Sequence, residues 1–263
     1  MKRNLRFIFM LIKMKLKRMM VYRLAFFGGT LVDGSGFILW LLMFGAIYGQ
    51  VDSIGGWDRG QTTIFLGTFS LLNAINMTIY FFGVITIPEK IKSGDLDHYL
   101  TKPVSPLLRL TFENIDPGSA PLILLSIGII VYGVSLAGIS IGVGTLALYC
   151  LFVIFMVILY YDMEVIIRTI PFFVISATSI EELESASFDL CMRVPGVLFK
   201  GAFKILFYFF LPYGIMATVP AQIITGSASL TIILQSVGVV VAFSVFTRWF
   251  WRFGLKHYKS ASS

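Results

Sequence analysis

The chain has 263 residues, 57% of them apolar and 13% charged, with 25 phenylalanines and a formal net charge of +7. Three long runs, 61–87, 117–161 and 205–247, carry no charge at all. A soluble core helix would show polar residues at a period near 3.6 and a membrane barrel would alternate, so the continuous runs exclude both and point to helices of the roughly 20 residues that cross a bilayer.

The positive charge has a location. Eight Lys and Arg fall in the first 23 residues, four in 87–109 and four in the last sixteen, whereas 50–60 holds only Arg59. Basic residues stay on the cytoplasmic side, which puts both termini and the 88–116 loop inside and the 49–60 loop outside. The charge is therefore a topology signal and implies no nucleic-acid partner. Cys150 and Cys191 lie in or beside apolar segments and form no disulfide or metal pattern. The basic N-terminus is too long for a cleavable signal peptide and no small-residue cleavage site follows it.

In chain order, residues 1–24 mix Lys and Arg with bulky apolar side chains such as Leu5, Phe7, Ile8 and Leu11. That pattern predicts an N-terminal interfacial helix, with a plain topology anchor as the alternative. Span 1 is expected at 25–48. It contains one charge, Asp33, within a glycine-rich stretch (Gly28, Gly29, Gly34, Gly36) suited to close helix approach. An intramembrane carboxylate is costly, so Asp33 is a functional candidate, against a reading as an interhelical hydrogen bond or a residue snorkelling to the interface. Span 2 is expected at 62–87, with Asn73 and Asn76 turned to other helices and Pro88 ending it.

Residues 88–110 form the longest polar interruption. Glu89, Lys92, Gly94, Asp95, Leu96, Asp97, His98, Tyr99, Leu100, Lys102 and Pro103 all fall here. Ser93 or Asp95 can cap a short helix over 95–100, and Pro103 and Pro106 then forbid its continuation. Spans 3 and 4 are expected at 117–138 and 141–161, after which Asp162, Glu164 and Arg168 mark the inner surface. Residues 170–193 carry Glu181, Glu182, Glu184 and Asp189 and read by hydropathy as a cytoplasmic amphipathic segment, which leaves the fifth span at 203–224, broken by Pro212 and Pro220. The last span, 230–250, ends in Arg248, Trp249, Trp251 and Arg252, an aromatic and basic girdle.

Catalytic arrangements are missing. There is no Gly-x-x-x-x-Gly-Lys-[Ser/Thr] loop, and His98 and His257 are far apart and outside the expected spans. Transport or a role as a membrane partner subunit remains.

Three places resemble one family, the ABC-2 type permeases, in the branch of bacterial six-span proteins that pair with a separate ABC ATPase. The first is Gly94-Asp-Leu96-Asp97-His-Tyr-Leu100-Thr-Lys102-Pro103, similar to the family's Gly-x-Leu-Asp-x-x-Leu-x-[Arg/Lys]-Pro loop. The second is the spaced proline series at Pro195, Pro212 and Pro220. The third is the ending Gly254-Leu-Lys-His-Tyr258-Lys-Ser260-Ala261, similar to the family's Gly-Leu-x-x-Tyr-x-Ser-Ala tail.

The resemblance implies an all-α polytopic permease of six transmembrane helices, forming one domain over 25–263 in the bacterial cytoplasmic (inner) membrane. It implies that 88–110 is a cytoplasmic coupling helix and loop docking an ABC ATPase present in two copies. ATP and Mg would belong to that partner and no cofactor to this chain. A second permease, identical or homologous, would help enclose a path for an amphiphilic cargo, whether lipid, peptide or drug-like. It also moves the fifth span to 171–193 and makes 196–226 a pair of outer re-entrant half-helices. Glu181 and Glu184, with Asp33, Asn73 and Asn76, then become candidates for the translocation path. Outside this resemblance, a sensor or immunity subunit and an ion-coupled secondary transporter are the competing readings; the latter would want paired intramembrane charges in two similar halves, and no internal repeat is visible.

Overall fold

The computed structural model describes residues 23–174 and 176–258, together with Met10, Lys13 and Met14. The expected interfacial helix at 1–24 and the tail beyond Tyr258 lie almost wholly outside the described residues. Within them the elements are helical, in the order α1 (Arg23–Ile47), α2 (Arg59–Asn76), α3 (Ile87–Ser93), α4 (Asp97–Leu100), α5 (Pro106–Glu113), α6 (Ala120–Ala137), α7 (Val143–Thr169), α8 (Thr178–Arg193), α9 (Gly201–Ile205), α10 (Tyr213–Met216), α11 (Thr218–Ile224) and α12 (Leu230–His257).

Four stretches are long and apolar enough to cross a membrane: Arg59–Ser93, Pro117–Ala137, Val143–Phe172 and Leu230–His257. A fifth exists if Gly201–Phe210 and Tyr213–Ile224, bent by 80° at Pro212, count as one. In α1 the stretch Leu31–Ile47 is apolar but shorter. The charge-free runs thus became membrane-length helices for the reason expected of them. They offer lipid a surface without charge, and each helix satisfies its own backbone.

Two details of the expected span ends are corrected. Pro88 does not end span 2. It sits in the first turn of α3, where its missing N–H costs nothing, and the chain stays helical to Ser93 after a short break at Ile85–Thr86. Nor does the fourth helix stop at Tyr161: α7 runs on to Thr169, and Asp162, Glu164 and Arg168 are buried rather than surface markers.

The packing is tightest between α2 and α6. A Cβ on Gly67 would lie 2.7 Å from Ile130, and one on Gly133 would lie 2.8 Å from the Ile64 backbone. Absent side chains let the two backbones approach, as small residues do in membrane helices. Of the described glycines expected to serve this purpose in α1, Gly34 meets Leu125 and Leu122 on α6, whereas Gly28 and Gly36 have open space around them.

The bundle has two distinct ends. At one, Ile87, Leu96, Tyr99 and Leu110 share a small core with Val165 and Trp251, and Phe172, Leu255 and Tyr258 pack around it. At the other, the turn Ile54–Trp57 closes the α1–α2 loop and Gly55 sits against Leu198. Residues 173–198 join these ends. Phe173 stacks on Phe250 and Phe253 at the first, and Leu198 lies at the second. The 16 residues of α8 rise about 24 Å, most of a bilayer core. From there the chain dips and returns. Phe209 and Phe210 reach Phe246 and Ile167, partway along the bundle, and Ile224 ends beside Ile141 and Tyr149.

Candidate functional site

A cavity of about 500 Å³ opens between α1, α2, α7, α8 and α10. The five residues expected to line a path, Asp33, Asn73, Asn76, Glu181 and Glu184, all face it. They come from three helices and from positions far apart in sequence.

Two of the three charged residues on the floor of this cavity, Glu164 and Arg168, were not among the expected path residues. Glu164 and Arg168 stand one turn apart on α7, and Glu184 faces them from α8. Arg168 Nη2 lies 3.2 Å from Glu164 Oε2, while Nη1 donates to Glu184 Oε2. The guanidinium fork thus engages two carboxylates on two helices, a geometry a lysine cannot copy. Tyr213 on α10 donates its hydroxyl to the other Glu184 oxygen at 2.9 Å. All three charged residues are at least nine-tenths buried. Intramembrane charges persist only when paired or facing a polar cavity, and here both conditions hold. The one readable signal was the (i, i+4) spacing of Glu164 and Arg168. Its third member, Glu184, lies on a polar helix that hydropathy reads as an amphipathic surface segment.

Aromatic rings frame the floor. Tyr160 stacks on Phe188 at 5.2 Å between centroids, and Tyr213 meets both edge-on at 6.2 and 5.9 Å. Above Asn76, the backbone shifts to a π-helical turn, Met77–Phe81, before returning to α-helix. Such turns widen a helix locally and are frequent at functional sites. Met77 and Phe81 of this turn line the same cavity.

The second candidate element is the loop at residues 88–110. Gly94 ends α3 in the left-handed region (φ 82°), which a side chain would strain, and Ser93 Oγ donates to Asp95 Oδ2 at 2.8 Å. The short helix α4 begins two residues later than the expected start. Pro106 opens α5, which ends at Glu113. That carboxylate holds the loop together. It accepts the Tyr99 hydroxyl at 2.6 Å and pairs with Lys90 and Arg109, both at 3.6 Å. Lys90 and Arg109 also lie over the Tyr99 ring. Burial, with Glu113 as hydrogen-bond acceptor, pushes the Tyr99 hydroxyl above its ordinary pKa, so it stays a donor. Neither Glu113 nor Lys90 figured among the expected residues.

Among those that did, Leu96 and Tyr99 are turned inward and buried, and Gly94 and Asp97 are half-buried. Glu89, Lys92, Asp95, His98, Leu100, Lys102 and Pro103 are exposed. They are the outward side chains of a support bounded by Pro88, Pro103 and Pro106. The support is tied to the cavity wall. Gly83, just beyond the π-helical turn, abuts the Leu110 carbonyl of α5 so closely that any Cβ would collide with it. Asp116 N–H also donates to the Thr78 carbonyl within the turn, at 2.9 Å.

Among the described residues no group of His, Cys, Asp and Glu is placed to hold a metal ion, and both cysteines are free. No curated protein and no solved structure matches the chain. A family profile described as "ABC-2 family transporter protein" matches residues 35–262, a range that takes in the loop and every cavity-lining residue except Asp33. With most of its length in that match and several membrane-length helices, the chain belongs to the ABC-2 transporter family and is a multi-pass transmembrane permease.

Proposed function

We propose that this permease is the membrane subunit of an ATP-driven exporter, docking a separate ABC ATPase through the exposed face of residues 88–110. ATP and Mg are bound by that partner, in two copies. A second permease, identical or homologous, completes the path, and the cargo is an amphiphile. The observation that carries the reading is the physical continuity between loop and cavity. One unit, α2 with its π-helical turn and α3, forms a wall of the cavity and then becomes the first arm of the loop. The Gly83–Leu110 contact clamps the second arm to the same unit. A torque on the loop therefore reaches the residues around Asn76 directly, which is what coupling between nucleotide state and a two-state path requires.

Six crossings follow if α1 and α8 both span the membrane and 201–224 is a re-entrant pair. The end-to-end course of 173–198 supports this, as does the 80° bend between two segments whose outer ends lie at the same end of the bundle. Two of the basic residues this places outside have partners in the structure. Arg193 pairs with Asp189 at 3.5 Å and stacks on Trp40, and Lys204 lies over Tyr208. Both termini are then cytoplasmic, in the inner membrane of a bacterium. A thiol introduced at Lys200 is expected to react with a membrane-impermeant reagent applied to intact cells. Protection there, with reactivity only after lysis, returns α8 to the cytoplasmic side and removes the re-entrant reading.

The partner is tested by purifying the tagged chain from its native membrane in mild detergents. An ABC ATPase in near-equal amount is the expected companion. A chain that emerges alone under several detergents overturns the exporter reading.

A further inference from the structure

The ionisable groups that line the cavity are asymmetric. Five carboxylates line it, those of Asp33, Glu164, Glu181, Glu184 and Asp189, against one guanidinium, Arg168. Arg168 is taken by Glu164 and Glu184, and Asp189 has Arg193. Asp33 and Glu181 have no ion pair among the described residues. Five negative groups against these two guanidiniums leave a formal balance of −3. Carboxylates at membrane depth want a cation or water beside them.

A second observation is independent of the charge. Asn76 lies in the cavity wall with 1% of its surface exposed, and its side-chain carbonyl Oδ1 accepts no hydrogen bond. Glu164 Oε2, although close to Arg168, makes no hydrogen bond of proper geometry either. One donor, Arg168 Nε, is likewise unused. The unmet demand is thus mainly for donors, and buried polar groups of this kind normally have partners. Tyr160, Phe188 and Tyr213 add aromatic side chains to the same lining. Met77, Phe81 and Ile85 give the opposite side an apolar character.

We propose that the cavity binds a cationic amphiphile. An organic ammonium or amidinium-type head group would donate to Asn76 Oδ1 and Glu164 in the field of Asp33 and Glu181, while an apolar body lies along the π-helical turn of α2. This rests on reading the cavity as the cargo path, but it makes its own claim about charge.

The test uses the full chain in lipid nanodiscs, without ATPase or nucleotide. Ser185 lines the cavity, is exposed and carries no charge, so Ser185→Cys reports on the site with little disturbance. It is placed in a Cys150→Ala background; Cys191 is buried and is retained. Reaction rates are measured with trimethylammonium-ethyl and sulfonatoethyl methanethiosulfonate, each divided by its rate with a small free thiol. The expected result is a normalised preference for the cationic reagent of about tenfold or more, falling toward one when Asp33→Asn and Glu181→Gln are added. No preference, a preference that survives those two changes, or no reaction with either reagent each overturns the proposal. If Ser185→Cys does not purify as a monodisperse protein, Met77→Cys reports from the opposite wall. Because no ATPase is present, this result is separable from the purification above. A cation-selective cavity with no ATPase partner would refute the exporter reading alone, and an ATPase partner with an unselective cavity would refute this inference alone.

Discussion

Replacing Arg168 with Leu is expected to destabilise the permease by about 3 kcal/mol, because it leaves Glu164 and Glu184 buried at close quarters with no cation between them. Removing one partner of a buried ion pair costs about 3–5 kcal/mol, and the lower figure applies here since the cavity gives the carboxylates some access to water. The apparent Tm in detergent should fall by roughly 6–12 °C. Arg168→Lys should recover only part of the loss, since one ammonium cannot address two carboxylates on two helices with the guanidinium's fixed fork. The triple variant Arg168→Leu, Glu164→Gln, Glu184→Gln should recover most of it, because it removes the two negative charges and keeps an acceptor for the Tyr213 hydroxyl. An unchanged Tm in Arg168→Leu would show that the cluster carries no net electrostatic load in the folded state.

The consequence reaches beyond one ion pair. Helix α8 is too polar to be held by lipid, and its polar ties centre on Glu184, held by Arg168 and Tyr213; Phe188, which meets Phe69, Tyr160 and Tyr213, the buried Cys191, and Arg193 over Trp40 supply the rest. Loss of Arg168 should therefore loosen α8 before anything else. Hydrogen exchange in Thr178–Arg193 should rise more than in α6 or α12, which are anchored elsewhere.

This is also where reading the sequence fell short, for a physical reason. Hydropathy measures what a helix shows to lipid. It located α2, α6, α7 and α12, whose outward faces are apolar, and it read α8 as an amphipathic segment with no sign that Glu181, Glu184, Ser185 and Asp189 line a cavity. The same limitation cut α7 short at Tyr161: Asp162, Glu164 and Arg168 look like interface residues until their partners, Ser244 and Glu184, are seen beside them. Those partners are distant in sequence, and nothing local announces them. Asp33, Asn73 and Asn76 were legible because a polar group inside an apolar run stands out. The loop was legible in outline because Gly94, Pro103 and Pro106 restrict the backbone by themselves. Its clamp on Glu113 was not, since one glutamate at the end of a short helix has no distinguishing pattern. The two π-helical turns, at Met77–Phe81 and Leu206–Phe210, have no compositional signature at all.

The exposed and buried faces of the loop make opposite predictions, and the contrast tests whether the exposed face is a docking surface. Asp95, His98, Leu100 and Lys102 all point outward. Surface substitutions away from special features usually change stability by less than about 0.5 kcal/mol each. The quadruple alanine variant should therefore keep its Tm within a few degrees. If this face docks the ATPase, the same variant should lose at least about tenfold in co-purification and in stimulated ATP hydrolysis, since tenfold needs only about 1.4 kcal/mol and a few central residues often carry most of an interface. Tyr99→Ala should behave differently. It removes a buried ring, the hydrogen bond to Glu113 and the surface on which Lys90 and Arg109 rest, at a cost of about 3 kcal/mol. It should weaken docking and lower Tm together, whereas the quadruple variant weakens docking alone. If the quadruple variant assembles and stimulates hydrolysis as the parent does, the outward face is ordinary solvated surface, and the continuity between loop and cavity serves the stability of the bundle rather than coupling.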